Sequence, residues 1–308
     1  MKVMVVDEFL EKKMPKTLIL KYVGLSRSSY YYQSTGTKPG KRASSVVYDN
    51  DDISHEINEV LEQIQELLSH EFVDYGYYKV YKYLNEEKGL RIGSYRTYRL
   101  MKEHNLLKFN RDKKKRNNRN WVKELVPVVE SPFSFLEFDI KYVYIAGVRT
   151  NTQVLTVIDV FSRWNLGHFI ANSIKSQNVI ELFEDIIQKY PMPEKFIVRN
   201  DNGSQFEASI VQDFLKSKSI TQEFTKPATP EQNAHIESYH SIMESAVCQR
   251  FEFENLEDFK DTMNRWRNFY NFERIHGGIK YQSPKNFLLS RNFEVEEKWK
   301  SITKPVSN

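Results

Sequence analysis

Between residues 133 and 173 the apolar side chains fall into three consecutive alternating runs, and nothing else limits the possible folds as much. FSFLEFDIKYVYI (133–145), TQVLTVIDVF (152–161) and NLGHFIANS (165–173) each show the period of two that lays one strand face on a core. The short connections between them allow an antiparallel meander. Then the period changes. Val179, Ile180, Phe183, Ile186, Ile187 and Tyr190 draw one helix face, which Pro191 and Pro193 close. KFIVRN (195–200) reads as a short buried strand, QFEASIVQDFLKSK (205–218) as a helix and ITQEFT (220–225) as a strand. Residues 231–250 and 256–273 read as two long helices. The order predicts an α/β core, in which a five-stranded mixed sheet grows from the meander through helical crossovers and is flanked by helices.

The part before residue 131 has a different texture. TLILKYVGLSRSSYYYQ (17–33) predicts two short helices with a turn at Gly24, the second capped by Ser26. From Asp52, residues Ile53, Ile57, Val60, Leu61, Ile64, Leu67 and Leu68 keep helical spacing. A second helix is expected from Tyr77 to the stop at Gly89, and a third, SYRTYRLMKEH, from a cap at Ser94. Three short helices with a basic third one form a small all-α helix-turn-helix domain, with Arg96, Arg99 and Lys102 near one face of the helix that enters a major groove. A polar stretch follows, NRDKKKRNNRNWVK (110–123), with Lys113, Lys114, Lys115, Arg116 and Arg119, suited to track a phosphate backbone; Trp121 reads as the first anchor of the next domain. The expected boundaries are a helical arm at 1–48, the helix-turn-helix domain at 49–108, a basic linker at 109–130, the α/β core at 131–290 and a tail at 291–308.

Charge sharpens this division. The formal net charge of +4 is unevenly spread, since residues 79–123 hold 15 Lys and Arg against 4 Asp and Glu. Such blocks meet polyanions, because neutralised phosphates release counterions; a solvated linker is the plainer reading of the same block. No apolar run approaches the ~20 residues of a membrane helix, so no membrane partner is expected. Met1 to Leu10 lacks a basic region leading into an apolar stretch, so no secretory signal is expected. A single cysteine, Cys248, excludes an internal disulfide and suits a reducing cytoplasm; its simplest role is a small packed side chain. One Cys and seven His are too few for a His/Cys zinc module, which leaves oxygen ligands for any metal.

Three carboxylates stand where such a metal could use them. Asp139 lies inside the first strand between Phe138 and Ile140, where a solvated charge is out of place. Asp201 follows the strand ending IVRN and opens an Asp-Asn-Gly turn. Glu237 projects from the first two turns of a helix that Pro230 and Glu231 begin. If they converge, their repulsion demands a cation. Two Mg²⁺ bridged by them could activate one oxygen and stabilise another in an in-line phosphoryl displacement. The competing reading is that 41 acidic residues always offer some trio, and that Asp201 is only turn chemistry.

The surrounding residues resemble a known family. RNDNGSQF (199–206) is similar to the second-aspartate segment of DDE transposases and retroviral integrases, and Asp201 and Glu237 enclose 35 residues, that family's interval. TPEQNAHIE (229–237) and FLEFDIKYV (135–143) resemble its glutamate and first-aspartate segments. YNFERIHGGIKYQSPKNF (270–287) resembles its tail, with Tyr270, Asn271, Arg274, His276 and Pro284. Residues 75–106 resemble the helix-turn-helix that precedes the core, and GLSRSSYYY (24–32) the opening motif. The chain is identified as similar to the second-reading-frame transposase of the insertion-sequence-three family. The resemblance implies a ribonuclease-H-like core, with Asp139, Asp201 and Glu237 as catalytic and metal-binding residues for two ions of Mg²⁺, or of Mn²⁺ as substitute. It implies strand cleavage and strand transfer by a 3′-hydroxyl at the ends of an insertion sequence. The partners implied are DNA, as terminal repeats and target, a homo-oligomer formed on it, and a first-reading-frame protein or a fusion with it. The implied location is the bacterial cytoplasm, at the nucleoid.

Two positions depart from the pattern. Glu244 stands seven residues after Glu237, where the family carries Lys or Arg, so weaker end binding or a substitute cation nearby is expected. Asn200 replaces a common Ser or His. His235 and His240 are expected as surface or DNA-facing histidines, His276 as a structural hydrogen-bonder, and Ser204 lacks a His-Asp partner nearby in sequence. Tyr30, Tyr31 and Tyr32 are expected to pack a helix on its neighbour. The alternatives to transposition are a non-catalytic DNA-binding regulator with the same fold and a ribonuclease-H-like nuclease; the helix-turn-helix and basic linker argue against the second.

Overall fold

The computed structural model describes residues 2–32, 44–108, 128–226 and 230–295. The basic linker residues Lys113, Lys114, Lys115, Arg116 and Arg119, and Trp121 with them, lie outside the described residues. The chain divides into two compact units, Met1–Ser45 and Val46–Asn308.

In the first unit, α1 (Lys2–Glu11), α2 (Lys16–Val23) and α3 (Arg27–Tyr31) pack around Val6, Ile19 and Leu20. Gly24 takes the left-handed conformation at φ 61° that ends α2, and the Ser26 hydroxyl accepts from the Ser29 N–H to start α3. The Tyr30 hydroxyl donates to Asp7 at 2.5 Å and Lys16 donates to the Tyr31 hydroxyl at 2.8 Å, so two of the three tyrosines tie helices together.

The second unit opens with an element that helical spacing had concealed. Strands β1 (Val46–Tyr48) and β2 (Ser54–Glu56) form an antiparallel hairpin, and Ile53 lies in its exposed turn. The first helix, α4 (Ile57–Ser69), therefore starts at Ile57, not near Asp52; Glu56 and Glu59 form a reciprocal cap there. Helices α5 (Tyr77–Glu86) and α6 (Ser94–Glu103) complete the three-helix cluster around Val60, Ile64, Val80, Leu84, Leu100 and Met101. Gly89 has φ 67° as expected of a stop. Ser94 is not the cap of α6: Gly93 holds that position and Ser94 is the first helical residue.

The core contains β3 (Phe135–Ile145), β4 (Thr150–Asp159), β5 (Asn165–Ala171), β6 (Phe196–Asn200) and β7 (Ile220–Phe224) in one sheet of order β5-β4-β3-β6-β7. The first three strands pair antiparallel, while β6 and β7 run parallel to β3. This is a ribonuclease-H-like sheet. Alternation along β3 sorts the two faces. Leu136 and Phe138 join a core with α7 (Ser176–Lys189) and α9 (Ser209–Ser217), whereas Val143 and Ile145 join a core with α10 (Ala234–Met243) and α11 (Leu256–Phe272). The expected helix at 205–218 is broken at Ala208, which separates α8 (Ser204–Glu207) from α9. The expected helix at 231–250 is three pieces: a 3₁₀ turn at Pro230–Asn233, α10, and a π-helical turn at Glu244–Cys248. A short helix, α12 (Pro284–Leu289), capped by Ser283, packs against α11.

Candidate active site

Asp139 sits midway along central strand β3, half-buried, paired across the ladder with Thr156. Its Oδ1 accepts from the next backbone N–H at 2.8 Å, and the Nδ1 of His240 approaches its Oδ2 to 3.4 Å. Asp201 follows the end of β6, the parallel neighbour of β3. The Gly203 N–H donates to its Oδ1 at 3.1 Å. Burial first, and then the charges of Asp139 and Glu207, push the Asp201 carboxyl above its ordinary pKa. The fold thus brings the two aspartates into electrostatic contact.

Glu237 is exposed on α10, one turn before His240, so the two share a face of that helix. His240 on this helix meets Asp139, which places the helix over the strand that carries that aspartate. Among the described residues no three His, Cys, Asp or Glu side chains already stand in metal-liganding geometry. The donor set nevertheless fits a hard divalent cation, since Asp139 and Asp201 bring carboxylate oxygens from two adjacent parallel strands, with the His240 imidazole beside Asp139.

Of the two histidines expected on the surface, His240 is buried and His235 is half-buried, and both are engaged with acids of β3. His240 is buried, and its Nε2 finds no hydrogen-bond partner among the described residues. His235 donates or accepts at 2.8 Å with Glu137, a fully buried acid on β3 that sequence reasoning passed over. Glu137 also accepts from the His235 and Ile236 backbone N–H groups at 2.9 and 2.8 Å. The signal was present: Glu137 is two residues before Asp139, on the same strand face. His276 is buried, and burial followed by Arg274 holds its imidazole well below the ordinary pKa. Burial pushes the Cys248 thiol up to about 12, as suits a packed small side chain.

Glu244 has the nearby cation that its position called for. Lys141, two residues beyond Asp139 on the same strand face, pairs with it at 2.9 Å. In the three-helix cluster the three basic residues are not alike. Arg96 donates to the Val46 carbonyl at 3.1 Å and braces the hairpin, whereas Arg99 pairs with Glu103 on the exposed face and Lys102 lies 5.9 Å from the Tyr98 ring centroid.

A sheet of this order with acids on β3 and beyond β6 defines an integrase-type core, and comparison with known proteins agrees. Two models described as integrase core domain match residues 129–230 and 218–284, and one described as HTH-like domain matches 56–115. Integrase core domain models thus cover residues 129–284 between them, with a helix-turn-helix-like match ahead of that core. It is 26% identical to an insertion element IS407 protein of Burkholderia multivorans over 86% of this chain and 87% of that one. It is 24% identical to the putative transposase for insertion sequence element IS150 of Escherichia coli, over 89% and 94% of the two chains. The transposase for insertion sequence element IS904 of Lactococcus lactis is 29% identical over 45% of this chain and 56% of its own. These relatives are in keeping with the insertion-sequence-three resemblance. The HTLV-2 integrase catalytic core domain, solved in complex with magnesium, superposes with a TM-score of 0.40 at 15% identity over 51% of this chain and 96% of that one, a likeness too loose to bear on chemistry. Among the described residues no helix is long and apolar enough to cross a membrane.

Proposed function

We propose that this chain is a transposase that cuts and joins DNA strands at the ends of an insertion sequence, with Asp139, Asp201 and Glu237 as its metal-binding catalytic set. The observation that carries this reading is that Asp139 and Asp201 each stand two residues beyond the ladder pair Glu137 and Arg199 of the adjacent parallel strands β3 and β6, inside an integrase core. Asp139 and Asp201 offer carboxylate oxygens from two adjacent strands, and Glu237, on the helix whose His240 meets Asp139, would supply the third carboxylate. The residues fit Mg²⁺, or Mn²⁺ as substitute, with two ions per site. Bound there, such cations supply Lewis-acid activation of the attacking hydroxyl and neutralise charge at the leaving oxygen. His240 steadies Asp139 on its Oδ2 side, and the Gly203 N–H fixes the rotamer of Asp201. The exposed Arg99 and Lys102, with the basic linker, hold duplex phosphates, and the protein works as an oligomer on DNA. Its place is the cytoplasm, beside the nucleoid, and a first-reading-frame partner or fusion supplies further end recognition.

The test is cutting of labelled element-end DNA in Mn²⁺ by the wild type and by Asp139→Asn, Asp201→Asn and Glu237→Gln. Several kcal/mol of lost charge stabilisation at about 1.4 kcal/mol per tenfold predicts a fall of about a thousandfold or more for each variant, with end binding retained. Equal cutting by all four proteins removes the trio from the mechanism. Binding without cutting by the wild type leaves the regulator reading in its place.

A further inference from the structure

Glu137, Asp139 and Lys141 recur every second residue on β3 and share one face of the sheet. Along the overlying helical segment they meet, in order, the start of α10 at His235 and Ile236, then His240, then Glu244. Two strand residues advance about 6.7 Å and one helical turn about 5.4 Å, so a strand and a helix running the same way stay in step over three such contacts. A second strand holds the same helix end. Arg199 on β6 is the ladder partner of Glu137. Its Nη1 donates to the Gln232 carbonyl at 3.0 Å, in the 3₁₀ turn leading into α10, while Nε and Nη2 donate to Glu223 at 3.1 and 2.8 Å. Each anchor stands two residues before an aspartate of the site: Glu137 before Asp139, Arg199 before Asp201.

We propose that Glu137 and Arg199 are positioning residues that bracket the start of α10 and thereby set where Glu237 meets Asp139 and Asp201. The inference rests on the reading of those three as the catalytic set. Glu137 is fully buried, so its carboxylate must be satisfied by protein, and it takes three donors, all from the first turn of α10. A carboxylate at a helix N-terminus also meets the positive end of the helix dipole. Arg199 needs its planar fork to bind Glu223 and the Gln232 carbonyl together, which a lysine ammonium cannot reproduce. The bracket resembles the outer support of a metal site, where a group that touches no metal fixes the ligand that does.

The experiment compares wild type, Glu137→Gln, Arg199→Lys and Asp139→Asn by Mn²⁺ binding in a calorimeter, by Mn²⁺ dependence of end cutting, and by thermal melting. Glu137→Gln is expected to raise the half-saturating Mn²⁺ about 10- to 100-fold. Arg199→Lys is expected to shift it in the same direction by less, and excess Mn²⁺ restores cutting in both. A purely structural role lowers the melting temperature without moving the Mn²⁺ requirement. If Glu137→Gln does not fold, Arg199→Lys and His235→Asn make the same comparison, since both leave the backbone donors to Glu137 in place. Unchanged Mn²⁺ binding in these variants, with Asp139→Asn unable to bind Mn²⁺, overturns the bracket alone. Wild-type Mn²⁺ binding and cutting by Asp139→Asn overturns the trio and the bracket with it.

Discussion

Asp74 and Asp201 lie in the same compact unit, and their surroundings are opposite: the Asp74 side chain is nearly inaccessible, whereas Asp201 is exposed at the end of β6. Asp74 accepts from Arg274 at 2.5 Å, from Lys108 at 2.9 Å and from the Ser245 hydroxyl at 3.2 Å. Burial works against its charge, but Arg274 and Lys108 outweigh burial and hold its carboxyl well below the usual range. Asp201 meets a backbone N–H, burial and a second carboxylate, and its pKa moves up. A charge that holds the fold is saturated by opposite charge. A carboxylate left beside its own sign carries the imbalance that the proposed cation would relieve.

The Asp74 cluster also joins the three-helix cluster to the core. Arg265 pairs with Glu71 at 2.7 Å, Arg250 donates to the Val73 carbonyl at 2.9 Å, and the Ile275 N–H donates to the Tyr75 hydroxyl at 3.0 Å. Lys79 nearby is pushed down to about 7 by burial and then by Arg274. Asp74→Asn strands the nearly inaccessible Arg274, and breaking such a buried pair costs about 3 to 5 kcal/mol. Asp201→Asn removes repulsion, so the metal-free protein should keep its stability or gain less than about 1 kcal/mol. Denaturant melts of the two variants check this, and equal destabilisation would erase the contrast. The pH dependence has a definite sign. Because the folded pKa of Asp74 is depressed, its contribution is fully present above pH about 4 and is lost as pH falls below that. Acid melts of wild type should show this loss, and Asp74→Asn should lack it.

A smaller effect sharpens the account of Glu244. Glu244→Gln releases Lys141 on the face that carries Asp139, so binding to end DNA should tighten. The slope of log K against log salt should steepen by about 0.9, the value of one added phosphate contact. An unchanged slope means that Lys141 does not reach phosphate.

Much of this could be read in the chain because strand alternation survives wherever one face is buried. The odd positions of β3 that hold Asp139 were fixed by Leu136 and Phe138 facing the opposite core. The hairpin before α4 was hidden because Ile53 continues the helical spacing by chance, while its strands are only three residues each. The π turn after α10 has no sequence signal, and the partners of His235 and His240 are acids about 100 residues away. Asp74 was invisible for the same reason, since Arg274 lies 200 residues on.

If Asp139, Asp201 and Glu237 hold a divalent cation, Mn²⁺-dependent melting of the whole chain reads that binding without DNA or turnover. A cation that binds only the folded site adds about 2.7 kcal/mol at a hundred times its dissociation constant. The wild type should melt higher in Mn²⁺, and Asp139→Asn and Asp201→Asn should not respond. An equal rise in all three proteins would contradict the account.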